Sequence, residues 1–269
     1  MYSNDDLSVL DFEIELDDPL DRIAPLEARI AAPKPDPDEM LALLLSPRAQ
    51  DRMTGARAFC ELEDSRAIPH LIRLLNDECA LVRVSVVYAL GRNTSPDALD
   101  PLLLRYNQDW NGYVRKGIVW ALGNHRDRRV IPTLVDAMRK DISAVRLWAA
   151  SALAQLATLG YEATIVAIPP LIEGLRRDGV AAVRSNCAWA VGELCRELPS
   201  NVIYATAVDA LIEAFAEDID LSVRDDAKTA MLKLGDTRGL QVIEELELEG
   251  WEHLTLLGDN SIDIGSAMG

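Results

Sequence analysis

The 269-residue sequence predicts an all-α fold, a right-handed α-solenoid of stacked αα-hairpins. Two observations carry this expectation. The first is a thirteen-residue interval: Pro69, Pro101, Pro132 and Pro170 each stand thirteen residues before Val82, Val114, Val145 and Val183, and Arg83, Arg115, Arg146 and Arg184 follow those valines. A fifth copy has Ala210 in the proline place before Val223-Arg224, and a worn first copy runs from Asp38 to Asp51-Arg52. The second observation is compositional. Aromatics make up 5% of the chain, and its apolar content is mostly Leu, Ala, Val and Ile, as packed helices require. Repeats of this length cannot bury their apolar faces alone and must stack.

Ser65–Arg92 serves as the type unit. Ile68, Leu71, Ile72 and Leu75 recur at helical spacing and predict an amphipathic first helix, with Pro69 in its first turn, where a missing N–H breaks no intrahelical bond. Asn76-Asp77-Glu78 supply a polar turn. Val82, Val86, Ala89 and Leu90 then mark the buried stripe of a second helix, whose small Ala89 lets a neighbour approach closely. The second helix returns as Val114–Gly123, Val145–Leu153, Val183–Gly192 and Val223–Leu232.

Asp77, Asp109, Asp178 and Asp218 each precede the valine by five residues, and Asp141 precedes it by four. An aspartate there accepts from free N–H groups near a helix start. The arginine after each valine is suitably placed to pair with a turn aspartate of an adjacent repeat, so these arginines read as structural.

The Asp-x4-Val-Arg-x5-Ala-Leu-Gly pattern after a Pro-initiated helix resembles a HEAT repeat, in particular the HEAT-like subclass named after phycobilisome lyases. Tyr88-Ala89-Leu90-Gly91, Trp120-Ala121-Leu122-Gly123 and Trp189-Ala190-Val191-Gly192 carry the resemblance. It covers residues 38–249 as six repeats with a C-terminal capping helix. Residues 1–37 are set apart as an acidic extension ending in a Pro-rich linker (Pro33, Pro35, Pro37), and 250–269 as an acidic tail expected to be flexible. Within the extension, Leu7–Leu16 alternates apolar and acidic residues, and Leu20–Ile30 has helical spacing.

Spacing between repeats varies in one way only. Arg52 and the five Val-Arg arginines are 31, 32, 31, 38 and 40 residues apart. The extra length therefore falls in Leu156–Ala167 and Leu194–Ala207, which are expected to form longer helix ends or loops on one rim.

The net charge of −17 is concentrated at the ends. Residues 1–40 hold twelve acids and three bases, residues 241–269 hold seven acids and no base, and the centre is nearly neutral. No net basic surface is present to replace the counterions of nucleic acid, which is therefore not expected as a partner. No apolar stretch reaches the length of a bilayer span, and Met1–Leu10 lacks the pattern of a signal peptide, so a cytoplasmic protein is expected. Cys60, Cys79, Cys187 and Cys195 lie in or beside predicted helices and read as core residues. Three histidines (His70, His125 and His253), without a CxxC or HExxH motif, point to no metal site and no catalytic constellation.

If the second helices line the concave side, positions three, six and ten after each valine form its exposed ridge. Position six runs Arg57, Tyr88, Trp120, Ser151, Trp189 and Thr229, and position three contributes Trp148. Arg57, Tyr88, Arg92, Trp120, Asn124, Trp148, Trp189 and Glu193 are thus the candidate partner-binding residues. Aromatics beside mixed charges are typical interface anchors, although each ring also has the alternative of packing between adjacent second helices. Trp110 and Tyr113 extend the row along a rim.

The resemblance implies a non-catalytic scaffold without a cofactor, similar to small cyanobacterial HEAT proteins that partner an IscA-type iron–sulfur assembly protein or maintain photosynthetic complexes. Its alternative is a bilin lyase subunit handling phycocyanobilin for a phycobiliprotein subunit. In that case the tryptophans and Tyr88 would flank the tetrapyrrole, and Arg57 or Arg92 would meet its propionates.

Overall fold

In the computed structural model, residues 35–259 are described, with side chains described as far as residue 248. Thirteen α-helices follow one another among the described residues: α1 (Pro37–Leu43), α2 (Ala49–Ala58), α3 (Ile68–Leu74), α4 (Ala80–Arg92), α5 (Pro96–Gln108), α6 (Gly112–His125), α7 (Ile131–Lys140), α8 (Ser143–Gln155), α9 (Tyr161–Arg177), α10 (Ala181–Cys195), α11 (Val202–Glu217), α12 (Leu221–Leu234) and α13 (Thr237–Asp259). They pair as six hairpins, α1/α2 to α11/α12, with α13 closing the stack. The expected α-solenoid is therefore the observed fold.

Local chemistry sets the helix starts. Asn111 accepts from the N–H groups of Tyr113 and Val114, Asn201 from Ile203 and Tyr204, Ser95 from Asp97 and Asp220 from Ser222. Asp64 and Asp127 open short 3₁₀ turns by accepting from the N–H of Arg66 and Arg129. Gly235 ends α12 in the left-handed conformation (φ 66°), the usual way to satisfy the last carbonyls.

The prolines correct one expectation. Pro69 and Pro132 lie in the first turns of α3 and α7, as predicted. Pro101 and Pro170 instead lie inside α5 and α9. The chain before them is already helical: Ser95 caps α5 six residues upstream, and Tyr161 opens α9 nine residues upstream. A proline in either helix forfeits one backbone bond to the residue four before it. In α5 that residue is Asp97, which is exposed.

The extra length in the fourth and fifth intervals becomes helix. After a 3₁₀ turn (Leu156–Leu159), most of the first segment joins α9, and the end of the second joins α11, giving first helices of 17 and 16 residues. The closing helix, expected over Leu240–Leu248, runs to Asp259, past the predicted boundary at 249. Pro37, expected in the linker, begins α1. The expectations for Leu7–Leu16 and Leu20–Ile30 fall outside the described residues.

Packing is layered. Val82, Val114, Val145, Val183 and Val223 are fully buried, and so are Leu90, Leu122 and Leu153 in the same helices. Ala89, Ala121, Ala152, Ala190 and Ala230 are buried with them. Glycines let these helices approach one another: a Cβ on Gly123 would come within 2.9 Å of the Ala152 Cβ, and one on Gly192 within 2.7 Å of the Ala230 Cβ. Second helices of successive repeats contact one another far more extensively than first helices do. The second helices thus form the more closely packed layer of the stack.

Candidate functional site

One arginine–aspartate pair per step ties consecutive hairpins together. Arg52 pairs with Asp77, Arg83 with Asp109, Arg115 with Asp141, Arg146 with Asp178 and Arg184 with Asp218, at 2.6–2.7 Å for the shortest contact. Each guanidinium grips its carboxylate through two nitrogens. A further nitrogen donates to turn carbonyls of the arginine's own repeat, for example Arg83 to Asp77 and Glu78. Each aspartate also accepts from a backbone N–H just before the second helix, such as that of Cys79, Asn111 or Val180.

These carboxylates are held below the usual range. Burial opposes the shift at Asp77, Asp109, Asp141 and Asp178, but the arginine and backbone hydrogen bonds together outweigh it; at Asp218 the Arg184 hydrogen bond is the largest influence. The ladder ends at Arg224, which donates to the Phe215 carbonyl at 2.7 Å. The predicted structural role of the Val-Arg arginines is what the geometry shows.

Along the second-helix layer, the stripe outside this scaffold differs in part from the expected ridge. Position three is buried in the second and third repeats, because Ser85 donates to the Leu81 carbonyl and Gly117 lies under Val87. Position two is half-buried in those two repeats, as Val84 and Lys116, whereas the fourth repeat keeps Trp148 at position three half-buried.

Tyr88 and Trp120 form a tilted ring pair with centroids 5.2 Å apart and planes 48° apart. The pair crosses a repeat boundary, and the Trp120 ring lies so close over Gly91 that a Cβ there would sit 2.4 Å from it. Arg92 stands over the same indole, 5.7 Å from the centroid, and Lys116 stands 5.5 Å from the Trp148 centroid. Tyr88, Trp120 and Trp148 are half-buried against the core, whereas Trp189 is 37% exposed.

The remaining candidates separate by role. Arg57 and Arg92 are exposed. Half-buried Asn124 donates to the Gly91 carbonyl at 3.2 Å, which satisfies a carbonyl left open at the end of α4. Glu193 meets Arg196 at 3.3 Å and Lys233 at 3.8 Å. The structure thus aligns the eight residues along the second-helix layer without gathering them into one pocket.

Sequence reasoning missed most of a second row. Leu81, Ile142, Val180, Ile219 and Leu221 are exposed at the turns within hairpins, beside Trp110 and Tyr113; Trp110 is 79% and Ile219 95% exposed. The available signal was an apolar residue directly after the turn aspartate (Trp110, Ile142, Ile219), where turn chemistry calls for a polar one.

Cys187 and Cys195 are buried within α10, where burial pushes the Cys195 thiol up to about 12. Among the described residues, no cluster of three His, Cys, Asp or Glu side chains is placed to hold a metal ion, and no helix is long and apolar enough to cross a membrane.

Comparison with known proteins agrees with this architecture. No curated protein matches the chain. Among solved structures, part of yeast importin-β superposes with a TM-score of 0.57 at 18% identity, covering 84% of this chain and 34% of that one. A designed armadillo repeat protein, solved in complex with the peptide (KR)4, gives 0.56 at 21% identity over 74% of this chain and 99% of its own. An engineered protein gives 0.53 at 19% identity, over 75% and 97%. At these identities the likeness shows the fold alone. The family model for HEAT repeats matches residues 37–116 and 100–192, more than half of the sequence, and the chain belongs to the HEAT-repeat family.

Proposed function

We propose that this chain is a non-catalytic scaffold that holds a protein partner along its concave layer. Tyr88, Trp120, Trp148 and Trp189 act as apolar anchors, with Arg57, Arg92, Asn124 and Glu193 beside them. One observation carries the reading: Tyr88, Trp120 and Trp148 pack against the core yet stay partly exposed, and Trp189 in the same row is 37% exposed. Half-buried, rigid aromatics flanked by charges are the residues on which binding energy concentrates.

The repeat solenoid is typical of protein-interaction scaffolds, and the armadillo neighbour was solved with a peptide bound. The narrower assignment, to an IscA-type protein or a phycobiliprotein subunit in a cyanobacterial cell, is supported by the resemblance of the repeat signature alone. A second reading, a bilin lyase subunit, draws on the Arg92–Trp120 stack, which offers a flat face and a cation to a tetrapyrrole with propionates.

Affinity capture from a cyanobacterial extract tests the scaffold, comparing the natural chain with Trp120→Ala/Trp189→Ala. Loss of specific proteins with the double variant is expected, and an unchanged captured set overturns the concave reading. Titration with phycocyanobilin separates the alternative: an absorbance and circular dichroism change that disappears with Trp120→Ala favours it, and no change removes it.

A further inference from the structure

The concave stripe is electrically polar along the stack. Over the first three repeats it carries Arg57, Arg92 and Lys116 against Glu61. Over the last two it carries Glu193, Asp225 and Asp226 against Lys233. The acidic end is largely engaged internally: Glu193 meets Lys233 and Arg196, and Asp226 accepts from Ser185. At the cationic end, Arg92 and Lys116 rest on indole faces, at 5.7 Å from Trp120 and 5.5 Å from Trp148.

An arginine stacked on a ring keeps its charge, and the ring fixes where its planar guanidinium edge points, as for Arg92 over Trp120. A carboxylate meeting Arg92 therefore lands beside the Tyr88–Trp120 pair, where an apolar side chain next to it has a surface to cover.

We propose that the first four repeats bind an acidic protein segment in which carboxylates alternate with apolar side chains. The inference rests on the concave-surface reading above and names its partner's chemistry. Charge complementarity selects this occupant. A basic peptide meets Arg57, Arg92 and Lys116 with like charge, which opposes binding. A long polyanion such as a nucleic acid strand, laid along the same stripe, runs into Glu193, Asp225 and Asp226. The polarity also sets direction, placing the most acidic part of the partner over the second and third repeats.

Fluorescence anisotropy of the full chain with labelled peptides tests this. The probes are a short alternating glutamate–leucine peptide, its lysine–leucine counterpart, and an oligothymidylate. The glutamate–leucine peptide is expected to bind, to lose about tenfold in affinity with Arg92→Glu, and to weaken with added salt, as a charge-directed contact does. Arg92→Gln gives a smaller loss. Because Arg92 is exposed, both variants keep the helical circular dichroism of the natural chain.

Glutamate–leucine binding that ignores both Arg92 variants overturns the proposal, as does no binding of that peptide or preferential binding of either other probe. The two readings fail separately. Lysine–leucine binding that depends on Trp120 removes the acidic partner and leaves the concave surface. Binding that is unchanged by Trp120→Ala/Trp189→Ala removes both.

Discussion

Arg83 and Asp109 are the most enclosed pair of the ladder, with side chains 3% and 0% exposed, and Asp109 takes a second cation from Arg105 at 2.8 Å. Taking two charges out of water is costly, and their attraction offsets that cost only while both are present. Arg83→Ala leaves a buried carboxylate with reduced compensation and is expected to cost about 3–5 kcal/mol in chemical denaturation, the magnitude for breaking a buried pair. Arg184→Ala, farther along the same ladder and closer to solvent, costs less.

The ladder also sets the response to acid. Asp77, Asp109, Asp141, Asp178 and Asp218 all have folded-state values below the ordinary 3.8, so they stabilise the fold fully above that pH. That contribution disappears as pH falls below 3.8 through the folded values, because the unfolded chain binds the protons first. His125 adds a smaller loss that begins higher. Burial lowers its value from 6.5, so the unfolded state gains a proton earlier on acidification. Thermal melts across pH are therefore expected to fall gently below 6.5 and steeply below 4. A melting temperature that holds constant down to pH 3 contradicts the ladder's role.

Between helices, α4 and α6 meet tightly at Gly91. A Cβ there would sit 2.4 and 2.8 Å from Trp120 ring atoms and 3.0 Å from the Ala121 Cα. Neither a rigid indole nor a backbone atom yields cheaply. Gly91→Ala is expected to destabilise by about 1–3 kcal/mol, the range for overpacking a tight contact. It also shifts Trp120 from its place beside Tyr88 and Arg92, so near-ultraviolet circular dichroism changes while helix content does not. The Ala-Leu-Gly signature showed where this glycine lies, but not that an aromatic ring from the next repeat occupies its missing side chain. Periodicity within one helix carries no information about which residue of a helix some thirty positions away fills its groove. Asn124 illustrates the same limit: it reads as an exposed polar residue in sequence and turns out to cap the end of α4.

Over the whole molecule, each hairpin packs chiefly on its immediate neighbours, so disturbance spreads locally. Leu122 is fully buried in the middle of the stack, and Met231 is fully buried in α12 near its end. Leu122→Ala is expected to cost about 2–5 kcal/mol and to lower amide protection in α4 and α8 on either side. Met231→Ala loosens α11 to α13 and leaves α4 to α6 protected, as hydrogen exchange reads directly. Equal loss of protection throughout from both variants shows a single cooperative core in place of a chain of coupled units.

The thirteen-residue interval, taken with the Val-Arg and turn-aspartate positions, was enough to determine the hairpin frame, the buried valines and the arginines that tie repeats together. Those features depend on residues at short, repeated separations, where helical geometry alone fixes what faces the core. The tertiary structure decided the rest. It made the extra segments into longer first helices, placed Pro101 and Pro170 inside helices, buried position three in the second and third repeats, and set cations over Trp120 and Trp148. Each of these depends on how one repeat is turned against the next, which is set by side chains that do not repeat.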